Sequence, residues 1–319
     1  MANTNNPATM WNCLNYVGEL YLLGANATPF LNMIGGLTGG RIWTVNSLEF
    51  PVAQPWALEA ASQPAIDETT STTAPTAWTY VRGRDVNTCQ IYQRSISVSY
   101  VKQSVTGVEE GFTTTAQTML GVQPVQNEKD FQIAAAMKQI AVDVEYTFLV
   151  GSYQLAINAG VAAKTRGIAT ACTTNTVAAG AAQLTKTHVD TLLRTMAGSG
   201  AVFNNMVLFC NAYQKQKLSD IYGYAPEDRN VGGVNIKQIE TDFAMLGIVW
   251  APKLTTSTIL VADLSVCRPV FAPVPDKGVL FYEELAKVGA SEKGQIYGQI
   301  GLDYGPEEYH GTITGLATS

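Results

Sequence analysis

Residues 127–150 read "NEKDFQIAAAMKQIAVDVEYTFLV", the clearest helical signal in the chain. Ile133, Met137, Ile140, Val144 and Phe148 step by four, three, four and four residues, which puts them on one face of an α-helix. Asn127 suits the N-cap with Asp130 three positions on, and Glu128 favours the positive end of the helix dipole. Gly151 supplies the stop. At ~1.5 Å per residue the predicted rod is roughly 36 Å long, apolar on its inner face and sparsely charged outside. It reads as a spine.

On its N-terminal side two segments read as strands. "RIWTVNSLEFPVAQPWAL" (41–58) is rich in β-formers and alternates Ile42, Thr44, Asn46, Leu48 and Phe50. "VNTCQIYQRSISVSYV" (86–101) places Ile96, Val98 and Tyr100 on one face and Ser95, Ser97 and Ser99 on the other. Between them "EAASQPAIDETTSTTAPTA" (59–77) is low in complexity and buries too little apolar surface to order itself. Two readings stand: a disordered linker, or the tip of a long projecting hairpin received by a neighbour. Flanking Trp56 and Trp78 favour the second, since exposed tryptophans usually find a partner. Residues 1–40, with a short helix around Tyr16 to Leu23 and breaks at Thr28-Pro29 and Gly35, Gly36, Gly39 and Gly40, read as an apolar arm.

Beyond the spine, Thr185 or Thr187 caps "HVDTLLRTMA", with Val189, Leu192, Leu193 and Met196 inward and Gly198 as the stop. "NMVLFC" reads as a buried strand leading to Asn211, the cap of "AYQKQKLSDIY". "VNIKQIETDFAMLGIVWAP" reads as paired strands, and "STILVADLSVCRPVFAPVPDKGVLFYEEL" as further β-structure turning at "PDKG". The last two strands are expected to alternate Ile296, Ile300, Leu302 and then Tyr309, Ile313 around the "GPEE" turn.

Composition narrows the function. The 319 residues allow two subdomains or one large one, and 46% hydrophobic residues mark a globular chain. Charged residues at 14% fall well below the roughly 25% usual for soluble proteins, which implies a surface covered by other chains. No apolar run approaches the ~20 residues of a spanning helix, and the start lacks the basic region of a signal peptide. A net charge of −6 argues against a nucleic-acid reader. The cysteines at 13, 89, 172, 210 and 267 are odd in number and widely spaced, so buried free thiols in a reducing compartment are expected.

Chemistry is hard to find. "GGLTGGR" lacks the lysine and hydroxyl of a phosphate loop, and no G-x-S-x-G elbow exists. His188 and His310 are far apart with no cysteine pair, so neither a metal nor a cofactor is expected. Glu283-Glu284 and Glu307-Glu308 are adjacent pairs, and in a strand their side chains face opposite ways. His310 is expected to be a polar residue facing solvent or an interface, opposite Ile313, with no catalytic role. A cytosolic hydrolase using His310 is the rival reading from a different class.

The order of elements, together with "AAKTRGIAT" (162–170), "NAYQKQKLSDIYG" (211–223), "IETDFAMLGIVWAP" (239–252) and the terminal "GQIYGQIGLDYGPEEYHGTITGL", resembles the major capsid (major head) proteins of tailed bacteriophages. The resemblance implies an α+β chain with the Hong Kong 97-type fold. By it the N-terminal arm is about 1–45, the extended β-hairpin loop 46–100, the peripheral domain 101–160 and 265–319, and the axial domain 161–264. It implies a homo-oligomer of hexamers and pentamers in an icosahedral shell around double-stranded DNA, without sequence-specific binding. Scaffolding, portal and decoration proteins are its implied further partners, in a virion assembled in the bacterial host cytoplasm. Inter-subunit contacts are expected at Trp11, Tyr16, Leu22, Trp56, Leu58, Trp78, Tyr80, Asp228 and Arg229. Encapsulin nanocompartments share the fold and form the nearest alternative. Two departures stand out: the chain begins with the arm and not with a charged helical scaffold segment, and its first lysine is Lys102. A shell held without isopeptide bonds from the extended loop is therefore expected.

Overall fold

The computed structural model describes residues 26–37, 41–54, 56, 58–75, 77–106, 128–222 and 238–318. The chain enters through the short helix α1 (Pro29–Met33) and two brief strands, β1 (Trp43–Thr44) and β2 (Glu49–Ala53). A long excursion containing the single-turn helix α2 (Glu68–Ser71) separates β2 from its antiparallel partner β3 (Asp85–Thr88). Next come β4 (Gln90–Ser99), α3 (Tyr100–Thr106) and the long helix α4 (Glu128–Val150). The short α5 (Ile168–Ala171) leads to β5 (Thr176–Ala178), α6 (Lys186–Gly198), β6 (Met206–Cys210) and α7 (Ala212–Tyr222). Then follow β7 (Gln238–Glu240), β8 (Met245–Trp250), β9 (Ile259–Asp263), β10 (Arg268–Phe271), β11 (Leu280–Leu285), β12 (Ser291–Asp303) and β13 (Gly311–Thr314).

The expected spine helix is α4. Asn127, its expected cap, lies outside the described residues. The apolar stripe seats over the C-terminal half, where Ile140, Val144 and Phe148 are fully buried, while Met137 nearer the start is 37% exposed. The stripe shares its face with a charge that periodicity did not flag. Glu145 is fully buried, and its carboxylate accepts hydrogen bonds from the backbone N–H groups of Phe30 (3.0 Å) and Leu31 (2.7 Å). Those N–H groups open α1 and have no partner within so short a helix. The spine thus holds residues 29–33 of the arm by satisfying their backbone.

Two sheets pack around this helix. In the first, β12 is central: β4 lines it from Ser291 to Ile300, while β11 pairs Lys293–Gly298 and β10 pairs Ile300–Asp303. β1 adds to β10 in parallel. Glycines along β12 admit side chains from its neighbours: a Cβ at Gly301 would lie 2.8 Å from the Phe50 ring. The second sheet runs β5-β13-β9-β6-β8-β7. Its central strands β6 and β9 are buried on both faces, which explains the unbroken apolar run of "NMVLFC". Val207, Phe209, Leu260 and Ala262 join the core under α4, whereas Leu208, Cys210, Ile259 and Val261 join a second core under α6. α6 buries Val189, Leu192, Leu193 and Met196, the four residues read as its inner face.

Several boundaries differ from the sequence reading. Gly198 remains inside α6, and Gly200, with φ +88°, makes the turn. Tyr100 opens α3 and is 42% exposed instead of extending the inner face of β4. The largest correction concerns "GPEE". It forms no hairpin: β12 belongs to the first sheet and β13 to the second, and a 3₁₀ turn at Glu307–Tyr309 carries the chain between them. Tyr309 is therefore not a strand residue.

Candidate interaction surface

The hairpin of β2 and β3 has a fixed root and an unsupported tip. At the root Phe50, Cys89, Val270 and Ala272 form a third small core, flanked by Trp43, Val45 and Val52. The Trp43 and Phe50 rings meet edge to face at 6.0 Å. Arg268 lies over the Trp43 ring at 4.5 Å while its Nε donates to Asp303 Oδ2 at 2.7 Å. The buried Asn87 donates through Nδ2 to the Leu302 carbonyl (2.7 Å) and accepts the Arg166 N–H at Oδ1 (2.8 Å). Aromatic packing, an ion pair and a saturated amide together fix the direction in which the ribbon leaves the body.

Beyond the Trp56–Arg82 bridge that support ends. Trp56 is 60% exposed, Leu58 68%, Trp78 65% and Tyr80 52%. Ile66 and Val81 are exposed as well, and sequence reasoning missed both. The signal that could have found them was simple: each is an isolated aliphatic in a segment too polar to bury it. Large apolar groups on a ribbon with no core of described residues beneath it make this the candidate interaction surface. At the tip, Asp67 caps α2 by accepting the Thr70 N–H at 2.6 Å, a bond that lowers its pKa below the usual carboxylate range. Trp11, Tyr16, Leu22, Asp228 and Arg229, with Cys13 and the helix expected around Tyr16, lie outside the described residues.

The terminal residues form no active site. His310 was expected to face solvent or an interface; it is instead fully buried. Its Nδ1 accepts the Asp263 N–H (3.2 Å) and its Nε2 lies 2.6 Å from the Tyr304 carbonyl, so the neutral ring with its proton on Nε2 satisfies both. Burial lowers its pKa to about 4. No substrate reaches a ring placed there, and the hydrolase reading loses its catalytic group. Glu307 turns away from the ring to clamp the Thr173–Thr174 backbone, accepting both N–H groups and both hydroxyls. His188 sits at the start of α6, where its Nδ1 accepts the Thr185 N–H. Cys89, Cys172, Cys210 and Cys267 are buried free thiols, and burial pushes Cys89 and Cys210 up to about 12, leaving them unreactive. Among the described residues no cluster of His, Cys, Asp and Glu could hold a metal, and no helix is long and apolar enough to cross a membrane.

The family model described as SU10 major capsid protein matches residues 2–317. No curated protein sequence matches the chain. In structure it is similar to the capsid asymmetric unit of cyanophage A-1(L), with TM-score 0.64 and 11% identity over 96% of each chain. A native GTA particle capsid follows with TM-score 0.58 and 11% identity, covering 94% of this chain and 93% of that one. The SrpI encapsulin of Synechococcus elongatus PCC 7942 gives TM-score 0.57 and 9% identity, covering 98% and 96%. Identities this low carry the fold alone, the Hong Kong 97-type architecture, while the match over nearly the whole sequence carries the family. The chain belongs to the SU10 major capsid protein family, the major head proteins of tailed phages.

Proposed function

We propose that the chain assembles through hexamers and pentamers into an icosahedral head that encloses double-stranded DNA, with the hairpin of each copy lying over its neighbour. In this reading residues 1–45 are the arm, 46–100 the extended loop, 101–160 and 265–319 the peripheral domain, and 161–264 the axial domain. The observation that carries it is the hairpin itself, rigid where it leaves the body and apolar where none of the described residues covers it. Trp56, Leu58, Trp78 and Tyr80 are the contact residues, and the arm and residues 228–229 supply further contacts. Each interface is on the order of 1,000 Å², and a closed shell holds because removing one subunit breaks several contacts together. The acidic balance suits a container whose wall does not grip the packaged polymer. Scaffolding, portal and decoration proteins would join it in the host cytoplasm.

The test replaces residues 58–80 with a two-residue turn and images the product by electron microscopy beside the wild type. Shells from the wild type and unassembled, folded subunits from the variant are expected. Shells from both would refute the role of the hairpin. Packaged nucleic acid in native particles separates a phage head from an encapsulin-like compartment, and a single band on a denaturing gel is the expected result for a shell without isopeptide bonds.

A further inference from the structure

A cleft of about 520 Å³ opens beside the hairpin root between Arg41 and Arg268, with Val52, Ser265, Asp303 and Gly305 among its walls. The fold fixes both cations. Arg41 donates from its two Nη atoms to the carbonyls of Leu264 (2.9 Å) and Ser265 (2.6 Å), so among the described residues its charge is held by carbonyl dipoles. Arg268 is stacked on Trp43 and bonded through Nε to Asp303. Two guanidinium groups and one carboxylate leave the cleft net positive, and N–H donors of both arginines have no partner among the described residues. A guanidinium fork held in place is a ready receptor for a carboxylate.

The complementary charge lies on the hairpin. Between Arg41 and Arg82 the sequence carries Glu49, Glu59, Asp67 and Glu68 and no cation. Asp67 is committed to capping α2, while Glu59 and Glu68 stand exposed on the ribbon. This tip does not reach the cleft of its own chain. Val52 lines the cleft, no residue of 58–80 does, and Glu68 is 16 residues beyond Val52 on a ribbon paired only as far as Trp56–Arg82 among the described residues. At ~3.3 Å per extended residue the tip stands up to about 50 Å from the root.

We propose that the Arg41–Arg268 cleft receives the acidic hairpin tip of a second copy of this chain, with Glu68 as the seated carboxylate. The inference rests on the shell reading and adds its register: apolar residues supply the area, and one charge contact fixes where the ribbon stops. Glu68→Arg and Arg41→Glu are each expected to raise the subunit concentration needed for assembly by about tenfold, and the double exchange to bring it back within about threefold of wild type. High salt should erase the difference between wild type and single variants. Sedimentation of assembled against free subunits over a concentration series reads all three. Glu68→Arg lies on an exposed turn, and its unfolding midpoint as free subunit controls for folding. A wild type that never assembles overturns the shell reading and this inference together. A wild type that assembles beside an unaffected Glu68→Arg, or an Arg41→Glu that lowers DNA retention without changing assembly, overturns this inference alone.

Discussion

Acidifying the free subunit from pH 7 to pH 4.5 should draw stability out through His310. The ordinary imidazole pKa is about 6.5 and the buried ring lies at about 4, so the folded state binds less proton than the unfolded chain between those values. A group whose folded pKa is depressed contributes fully above its unfolded pKa and loses that contribution as pH falls. For these two values the loss by pH 4.5 is on the order of 2–3 kcal/mol. Glu145 opposes it. Burial pushes its carboxyl up to about 7 against two amide donors that pull it down, so its contribution is present below about 4.5 and lost as pH rises through 7. Over the same window Glu145 returns a similar amount, so the wild-type curve alone does not isolate His310. The decisive measurement is therefore a difference. Urea unfolding of free wild type and His310→Gln, which keeps one donor and one acceptor but does not titrate, should show the wild-type advantage shrinking by about 2–3 kcal/mol from pH 7 to pH 4.5. Parallel pH profiles would refute the assignment of a neutral, buried, structural histidine.

Three further outcomes follow from named contacts. Glu145→Ala leaves the buried N–H groups of Phe30 and Leu31 unsatisfied and should destabilise by about 1–3 kcal/mol, read as faster hydrogen exchange at 30–37. Gly301→Ala sets a Cβ 2.8 Å from the Phe50 ring and 3.0 Å from the Thr88 carbonyl, so the root must shift at about 1–3 kcal/mol, with faster protease cleavage between 54 and 84. Trp78→Ala, by contrast, should leave the unfolding midpoint of the free subunit within about 0.5 kcal/mol of wild type while lowering the yield of shells.

What the sequence disclosed was local. The stripe Ile140, Val144, Phe148 and the inner face of α6 lie within a few turns of their own helix, so their period encodes their burial. The even and odd sides of β6 are likewise implicit in an unbroken apolar run. Partners remote in sequence left no such trace. β13 inserts between β5, some 135 residues earlier, and β9, some 50 residues earlier, and His310 is enclosed only once Asp263 and Tyr304 have been brought to it. A polar residue beside two glutamates looks exposed until that enclosure is known. Glu145 was hidden for the same reason, since Phe30, the first amide it holds, lies 115 residues upstream. The exposed residues of the hairpin were partly legible: Trp56 and Trp78 stood out against a polar background, whereas the cleft of Arg41 and Arg268 joins residues 227 positions apart.

The contrast between root and tip also bears on how strongly the ribbon can bind. A wholly flexible strap would lose backbone freedom at every residue when it docks, about 1–2 kcal/mol each, and few exposed side chains could offset that. Here the Asn87 bonds, the Phe50 core and the Arg268 stack set the exit direction while the chain folds, before any neighbour is met. Only the segment beyond Trp56 and Arg82 remains to be positioned, and it carries Trp56, Leu58, Trp78 and Tyr80, each able to bury well over 100 Å² of apolar surface. In the proposed docking, anchoring the root raises affinity by lowering the entropy lost, without adding a contact. It follows that loosening the root with Gly301→Ala should weaken assembly even though residue 301 is buried inside the subunit, whereas a hairpin whose affinity came from its tip alone would be indifferent to that change.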